Sequence, residues 1–173
     1  SLGIWDCEAT LFPESVMEGS TVGFDSLWLD DNTLDYSDVG APVVVTLYGI
    51  NTAGVQSSCV SNISVEDKIA PVAIANPDLI VTLDANGSFT LLVDDVDDGS
   101  YDHCSGVNIV ISPSIITCGM PNPTIVTMTV TDDSGNFNQV WTEVYYEESN
   151  GGALACQSSI TANYPAASEY EVT

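Results

Sequence analysis

Gly40-Ala-Pro-Val-Val-Val-Thr-Leu-Tyr-Gly-Ile-Asn-Thr-Ala-Gly54 can be laid over Asn122-Pro-Thr-Ile-Val-Thr-Met-Thr-Val-Thr-Asp-Asp-Ser-Gly135. Both stretches leave a proline, run through β-branched residues, and end in an Asn/Asp-and-Gly turn. That is how a strand closing into a hairpin reads. In this overlay Asn51 meets Asp133 and Gly54 meets Asn136, an offset of 82. A second pair, Ala9-Thr-Leu-Phe-Pro-Glu-Ser-Val-Met-Glu-Gly-Ser20 over Phe89-Thr-Leu-Leu-Val-Asp-Asp-Val-Asp-Asp-Gly-Ser100, gives 80. Two independent blocks at nearly one spacing predict two copies of one unit of about 80 residues.

Working outward, Val65-Glu-Asp-Lys-Ile-Ala-Pro71 marks the boundary, since it is short and charged and its proline enforces an extended start to the second copy. A third start appears at Gly151-Gly-Ala-Leu-Ala-Cys-Gln-Ser-Ser-Ile160, where Ala155-Cys156 falls in the place of Ile74-Ala75. Within the second copy, Leu79/Val81/Leu83, Phe89/Leu91/Val93, Val107/Ile109/Ile111 and Val126/Met128/Val130 alternate with period two. Turn signals separate them at 84–87, 97–99, 112–113, 120–123 and 133–136. No stretch carries a 3.6-residue apolar stripe with caps. The expected fold class is therefore all-β, two tandem β-sandwich modules of immunoglobulin-like type.

The two ends look complementary. Residues 1–67 read as a module lacking its opening strand, 68–149 as a complete one, and 150–173 as a linker and opening strand for the next module. A missing strand leaves an apolar groove and a row of unpaired backbone groups. The expectation is a C-terminal strand completing the first module of the next copy, with main-chain hydrogen bonds along the groove. The next copy is either a separate chain or the following repeat of a longer polypeptide. Folding back onto its own first module would make about 20 residues, at most about 70 Å of extended chain, retrace a whole module. With neither an initiator Met nor a secretory signal, the sequence reads as a processed form or a segment.

Composition narrows the function. The chain has 173 residues, 25 Asp+Glu, one Lys+Arg and a net charge of −24, so ion pairing is scarce and solvent cations must screen the surface. No cationic surface exists for phosphate contacts, which sets nucleic acid aside, and an anionic membrane surface fails for the same reason. Apolar runs such as Val43–Leu47 are too short to span a bilayer. The acidity itself reads most simply as a solvated exterior, more sharply as cation binding. Five cysteines suggest an oxidising compartment, their spacing matches no zinc pattern, and their odd number leaves at least one thiol free or paired outside the chain.

The segments Glu66–Ala75, Leu83-Asp-Ala-Asn-Gly87, Asp95–Ser100 with Asp102-His-Cys104, and Val130-Thr-Asp-Asp-Ser-Gly-Asn136 resemble hyalin-repeat (HYR-like) immunoglobulin-like modules. Such modules are arrayed in secreted and cell-surface proteins, notably adhesins of Bacteroidota. The resemblance covers 70–147 well, 8–67 moderately and 153–165 weakly. It implies extracellular scaffolding or adhesion without catalysis. It also implies an intrachain disulfide between Cys104 and Cys118, closing a loop worth about 3 kcal/mol on the chain-entropy model. The first module, with Val22 and Tyr36 near those places, lacks this staple.

A second disulfide of the family ties opening to closing strand. In the second module those places hold Ala75 and Trp141. A large ring there could fill the space over the small residue, whereas the better alternation Val140/Thr142/Val144/Tyr146 would turn Trp141 outward, so its side stays open. In the first module the closing-strand place is Cys59, with Ser61/Ile63/Val65 continuing its face, and its expected partner is Cys156 of the adjacent copy or preceding repeat. Cys7 has no partner assigned.

Other chemistry is sparse. The single His103 lies beside Cys104 and reads as a turn residue, so no nucleophile–base–acid set assembles. Carboxylate pairs cannot be told from a solvated acidic face. Two places could take calcium, the only cofactor suggested: Asp94, Asp95, Asp97 and Asp98 in one turn, and Glu66 with Asp67, joined by Asp132 or Asp133, at the junction. Neither spacing is that of an EF-hand. Asn62-Ile-Ser64 and Asn86-Gly-Ser88 are formal N-glycosylation sequons, and Asp25-Ser26-Leu27 resembles an O-glycosylation signal of secreted Bacteroidota proteins. Trp5, Trp28 and Tyr145-Tyr146 read as packing aromatics or as a sugar-binding surface.

The combined expectation is a non-enzymatic repeat or subunit of an extracellular, cell-surface filament or adhesin stalk. Its partner is itself, head to tail. The alternative is a ligand- or carbohydrate-binding region of an adhesin. Exposed aromatics clustered on one face would favour that alternative, aromatics buried at joins the stalk. An accessory domain of an enzyme comes third.

Overall fold

The computed structural model describes residues 7–148. In chain order the elements are β1 (Glu8–Thr10), α1 (Pro13–Val16), β2 (Phe24–Leu29), β3 (Thr33–Asp35), β4 (Val43–Asn51), β5 (Gln56–Ile63), β6 (Asp78–Leu83), β7 (Ser88–Thr90), α2 (Val93–Val96), β8 (Val107–Ser112), β9 (Ile115–Thr117), β10 (Thr124–Asp132) and β11 (Phe137–Glu148). The chain is all-β and sandwich-like, its two α elements single turns. Among the described residues no sheet mixes strands from before residue 64 with strands from after residue 77. The N-terminal half holds β2-β4-β5 and β1-β3, the C-terminal half β6-β11-β10-β8 and β7-β9.

The period-two pattern of the C-terminal half becomes one buried face. Val126, Met128 and Val130 of β10 are fully buried, as are Thr142 and Val144 of β11, while Val81 and Leu83 of β6 close the same core. The opposite pleat faces outward, so Trp141 is 62% exposed and the alternation Val140/Thr142/Val144 decides its side. Tyr145 and Tyr146 split across the sheet for the same reason. Tyr146 packs on the core and donates to the carbonyls of Cys118 and Met120, while Tyr145 donates to Glu143 outside.

The two halves repeat detail. The hairpin β4–β5 pairs Leu47 with Cys59, and β10–β11 pairs Met128 with Val140. The turns agree as well: Asn51 Oδ1 accepts from Ala53 and Val55, Asp132 Oδ1 from Asn136, and Gly54 and Gly135 both take the positive φ these turns require. The offset is thus 81, and Asn51 corresponds to Asp132 rather than to Asp133. The overlay had to guess which of two adjacent aspartates closes the turn, and hydrogen bonding selects the first. The other block keeps its offset of 80. Ser15 Oγ accepts from Phe12 N ahead of α1, as Asp95 Oδ2 does from Leu92 N ahead of α2. That turn replaces the outer part of the expected run Phe89/Leu91/Val93: β7 ends at Thr90, and an acidic side chain reaching back three residues starts a helical turn instead.

The N-terminal half has a thinner core. Val45 and Leu47 of β4 are buried, with Leu34 and Val65 forming a small second cluster, whereas β5 is exposed over Gln56–Val60. Asp30 ties β2 to β4 by accepting from Thr46 N at 2.7 Å. That backbone hydrogen bond, with smaller help from Asp31, holds its carboxyl below the usual carboxylate range. Asp84 is lowered likewise by Ser88 N in the β6–β7 turn, and Asp35 by the Ser37 hydroxyl and amide.

Two measurements check this. Met128→Ala should lower unfolding stability by about 2–5 kcal/mol in a denaturant titration, because it empties a fully buried site. The lowered Asp30 carboxyl favours the folded chain above the unfolded value near 3.9, and that contribution is lost as pH falls through the lower folded value. An acid-unfolding curve of Asp30→Asn should therefore lie closer to its own neutral-pH stability at low pH than the parent's does.

Candidate strand-acceptor groove and joint

In the C-terminal half an extended segment at 71–77 lies between the two layers. Val72 and Tyr101 exchange backbone hydrogen bonds at 2.8 and 3.1 Å; Asn76 N donates to Val96 O and Asp98 N to Ile74 O. On its other side Asn138 Nδ2 donates to Pro71 O, and Thr142 Oγ1 to the carbonyls of Asn76 and Pro77. Ala73 and Ala75 pack on the core beneath it. From there the chain enters β6, which pairs in parallel with β11.

The N-terminal half holds no counterpart among the described residues. By the matched registers, Met17 stands in the place of Asp97, Ser57 in that of Asn138 and Cys59 in that of Val140. Between them is a groove of about 370 Å³ lined by Met17, Phe24, Leu27, Leu47, Gly49 and Cys59, among others. Gly49 keeps it open, since a Cβ there would lie 2.8–2.9 Å from Phe24 and Leu27. Among the described residues β5 is an edge strand of its sheet, whereas β11 is internal. Cys59 is exposed and is the free cysteine among the described residues.

The expected Cys104–Cys118 bridge is overturned. Cys104 is bonded to Cys7, with Cα atoms 5.3 Å apart at a sequence separation of 97. Asp102 Oδ1 folds the 102–105 turn by accepting from the amides of Cys104 and Ser105, at the end where β8 begins. β8 then carries the chain about 20 Å to the opposite end before Cys118, whose amide donates to Gly87 O. A spacing of fourteen residues in sequence is thus not nearness in space. Cys118 is itself disulfide-bonded. The partner proposed for Cys59, Cys156, lies outside the described residues, as does Trp5.

Cys7 precedes β1, so this disulfide clasps the start of the N-terminal half to the C-terminal half. The joint has further contacts. Asn136 Nδ2 donates to Asp67 O at 3.1 Å and to Asp132 Oδ2 at 2.8 Å, and a cavity of about 680 Å³ is lined by Tyr36, Val39 and Glu66 from one side and Asp133, Ser134 and Asn136 from the other. Of the residues expected to hold calcium, Asp95 and Asp97 direct an oxygen each to Leu92 N and Ser100 N, Asp94 and Asp98 are exposed, and Glu66 pairs with Lys68 at 2.8 Å. The Lys68 ammonium holds Glu66 below the usual range, and Glu66 raises Lys68 in return. Among the described residues one metal-capable group appears, Asp67, Asp102 and Cys104, whose ligand atoms all lie within 4.8 Å of one another. Asp102 does not stand out in the sequence as a ligand, where it is one aspartate among many. Ser26, Asn62 and Asn86 are all exposed.

His103 stacks edge-on to Tyr101, with centroids 5.1 Å apart. Trp28 and Tyr48 stack face to face at 5.5 Å on the outer side of the β2–β4 pair. No helix among the described residues is long and apolar enough to cross a membrane. No family model matches the chain, and a search of curated proteins finds no match.

Replacing Cys7 and Cys104 together by Ser should cost about 2–5 kcal/mol in a denaturant titration, the range for a native disulfide closing a long loop. Peptide mapping of the unreduced parent should yield the Cys7–Cys104 pair and no Cys104–Cys118 pair.

Proposed function

We propose that the protein is a repeat or subunit of an extracellular filament or adhesin stalk, assembled head to tail. In this reading 1–67 and 68–149 are two immunoglobulin-like modules, and 150–173 opens the first module of the next copy. The observation that carries it is the groove ending at Cys59. The C-terminal half fills the matching place with its own residues 71–77, held from both layers, while the N-terminal half has no such segment among the described residues. Strand addition would satisfy edge backbone groups of the N-terminal half and cover its apolar floor. With Ala155-Cys156 in the place of Ile74-Ala75, Cys156 would lie beside Cys59, as Ala75 lies on the core with Val140. Net charge of −24 would keep such fibres apart at low salt. The role is mechanical, outside the cell, and involves no catalysis.

A ligand- or carbohydrate-binding adhesin region is the second reading. It is favoured by the outward face of β6-β11-β10-β8, where Ile80, Val110, Ile125, Trp141 and Tyr145 are exposed together, and by the Trp28–Tyr48 stack.

Disulfide mapping of native material decides between assembly and isolation. A Cys59–Cys156 peptide is expected of the assembled form, with Cys118, disulfide-bonded in this chain, released as a thiol. Separate chains would then give a ladder on a denaturing gel that collapses on reduction or in Cys59→Ser; tandem repeats would give one long polypeptide under both conditions. A single 173-residue monomer in every lane, with Cys156 joined to Cys118 of its own chain, would remove the proposal.

A further inference from the structure

We propose that Asp67 and Asp102 bind one calcium ion at the joint between the halves, a site independent of whether the chain assembles. Asp67 is 6% exposed, and its Oδ2 is buried with no hydrogen-bond partner among the described residues, while Oδ1 accepts from Ile69 N. A buried carboxylate oxygen without a donor is costly unless something positive meets it. Its backbone cannot turn away freely, since Asp67 O is held by Asn136. Instead of a cation, the structure sets a second carboxylate against it. Oxygens of Asp67 and Asp102 and the sulfur of Cys104 lie within 4.8 Å of one another. Three donors converge on Asp102 Oδ1, from Cys104 N, Ser105 N and Ser105 Oγ, which orients the carboxylate and leaves Oδ2 for a ligand.

The protein is short of basic side chains to neutralise this pair: its one histidine, His103, next to Asp102 in sequence, stacks edge-on to Tyr101. Its one Lys or Arg is Lys68, engaged with Glu66 at the surface, both side chains about two-thirds exposed. The compensating charge therefore comes from solvent. The donor set selects its kind. Cys104 is in a disulfide, so its sulfur carries no thiolate charge and offers little to a soft metal. Carboxylate oxygens beside a water-accessible cavity suit a hard cation. Calcium, which takes six to eight oxygens in flexible geometry and accepts water among them, fits better than magnesium, which demands a near-ideal octahedron. Asp67 lies on the connection between the halves, and Asp102 is two residues from the disulfide to Cys7. An ion between them ties the connection, the 102–105 turn and the start of the chain at one point.

The test is calorimetric titration of CaCl₂ into the oxidised full chain, stripped with EDTA, at about 0.15 M ionic strength so that diffuse binding to the acidic surface is screened. One saturable site per chain is expected, with Kd of about 10⁻⁴–10⁻³ M, the range of extracellular modules, and a rise in Tm. Asp67→Asn and Asp102→Asn should each weaken binding at least ~10-fold, while Asp94→Asn with Asp98→Asn leaves it unchanged. In EDTA Asp67→Asn should keep or raise the parent's Tm, which a purely structural carboxylate would not allow. If that variant fails to fold, Asp102→Asn decides. No saturable binding up to about 10 mM calcium, well above that affinity range, equal affinity in both carboxylate variants, or equal response to MgCl₂ would overturn the site.

Discussion

The extended segment at 71–77 hydrogen-bonds to both layers of the C-terminal half at once, and the core beneath it exists because that segment covers it. Its amides and carbonyls reach Val96, Asp98 and Tyr101 on one side, and Asn138 and Thr142 donate to it from the other. A sandwich cannot leave that position to water without exposing apolar floor and unpaired backbone. The difference between the two halves stems from this constraint. Where the segment is present, β10 and β11 bury an unbroken face. Where it is absent among the described residues, β5 is exposed and the buried set shrinks to Val45 and Leu47 with the small Leu34–Val65 cluster.

The joint answers a second constraint, the near absence of cations. Most folded surfaces manage carboxylates by pairing them, but here the carboxylates find backbone amides instead. Asp30, Asp35 and Asp84 each accept from nearby amides, which lowers their carboxyl groups without any partner charge. That solution needs an amide within reach. Asp67 Oδ2 has none among the described residues and is buried as well, which sets it apart from the solvated carboxylates of the surface. The disulfide beside it adds a covalent tie where charge pairing is scarce.

Much of this was legible in the residues. The alternation at Val126/Met128/Val130 and Val107/Ile109/Ile111 predicts strands with one buried face, and the structure buries that face. The correspondence of the hairpins β4–β5 and β10–β11 was readable to within one residue, the error arising where Asp132 and Asp133 compete for one turn. Periodicity could not foresee the α2 turn, because it depends on Asp95 reaching back to Leu92 N rather than on an apolar stripe. The bridge expected for Cys104 failed because it was inferred from distance along the chain, and β8 intervenes.

The sequence by itself determined the strand period, the turns and the acidic exterior, since each is set by composition or by residues within a few positions of one another. The tertiary structure alone decided which cysteine meets Cys104 and that Asp102 approaches Asp67. These are contacts across tens of residues, fixed by the register of paired strands and the direction each carries the chain, and no local spacing encodes them.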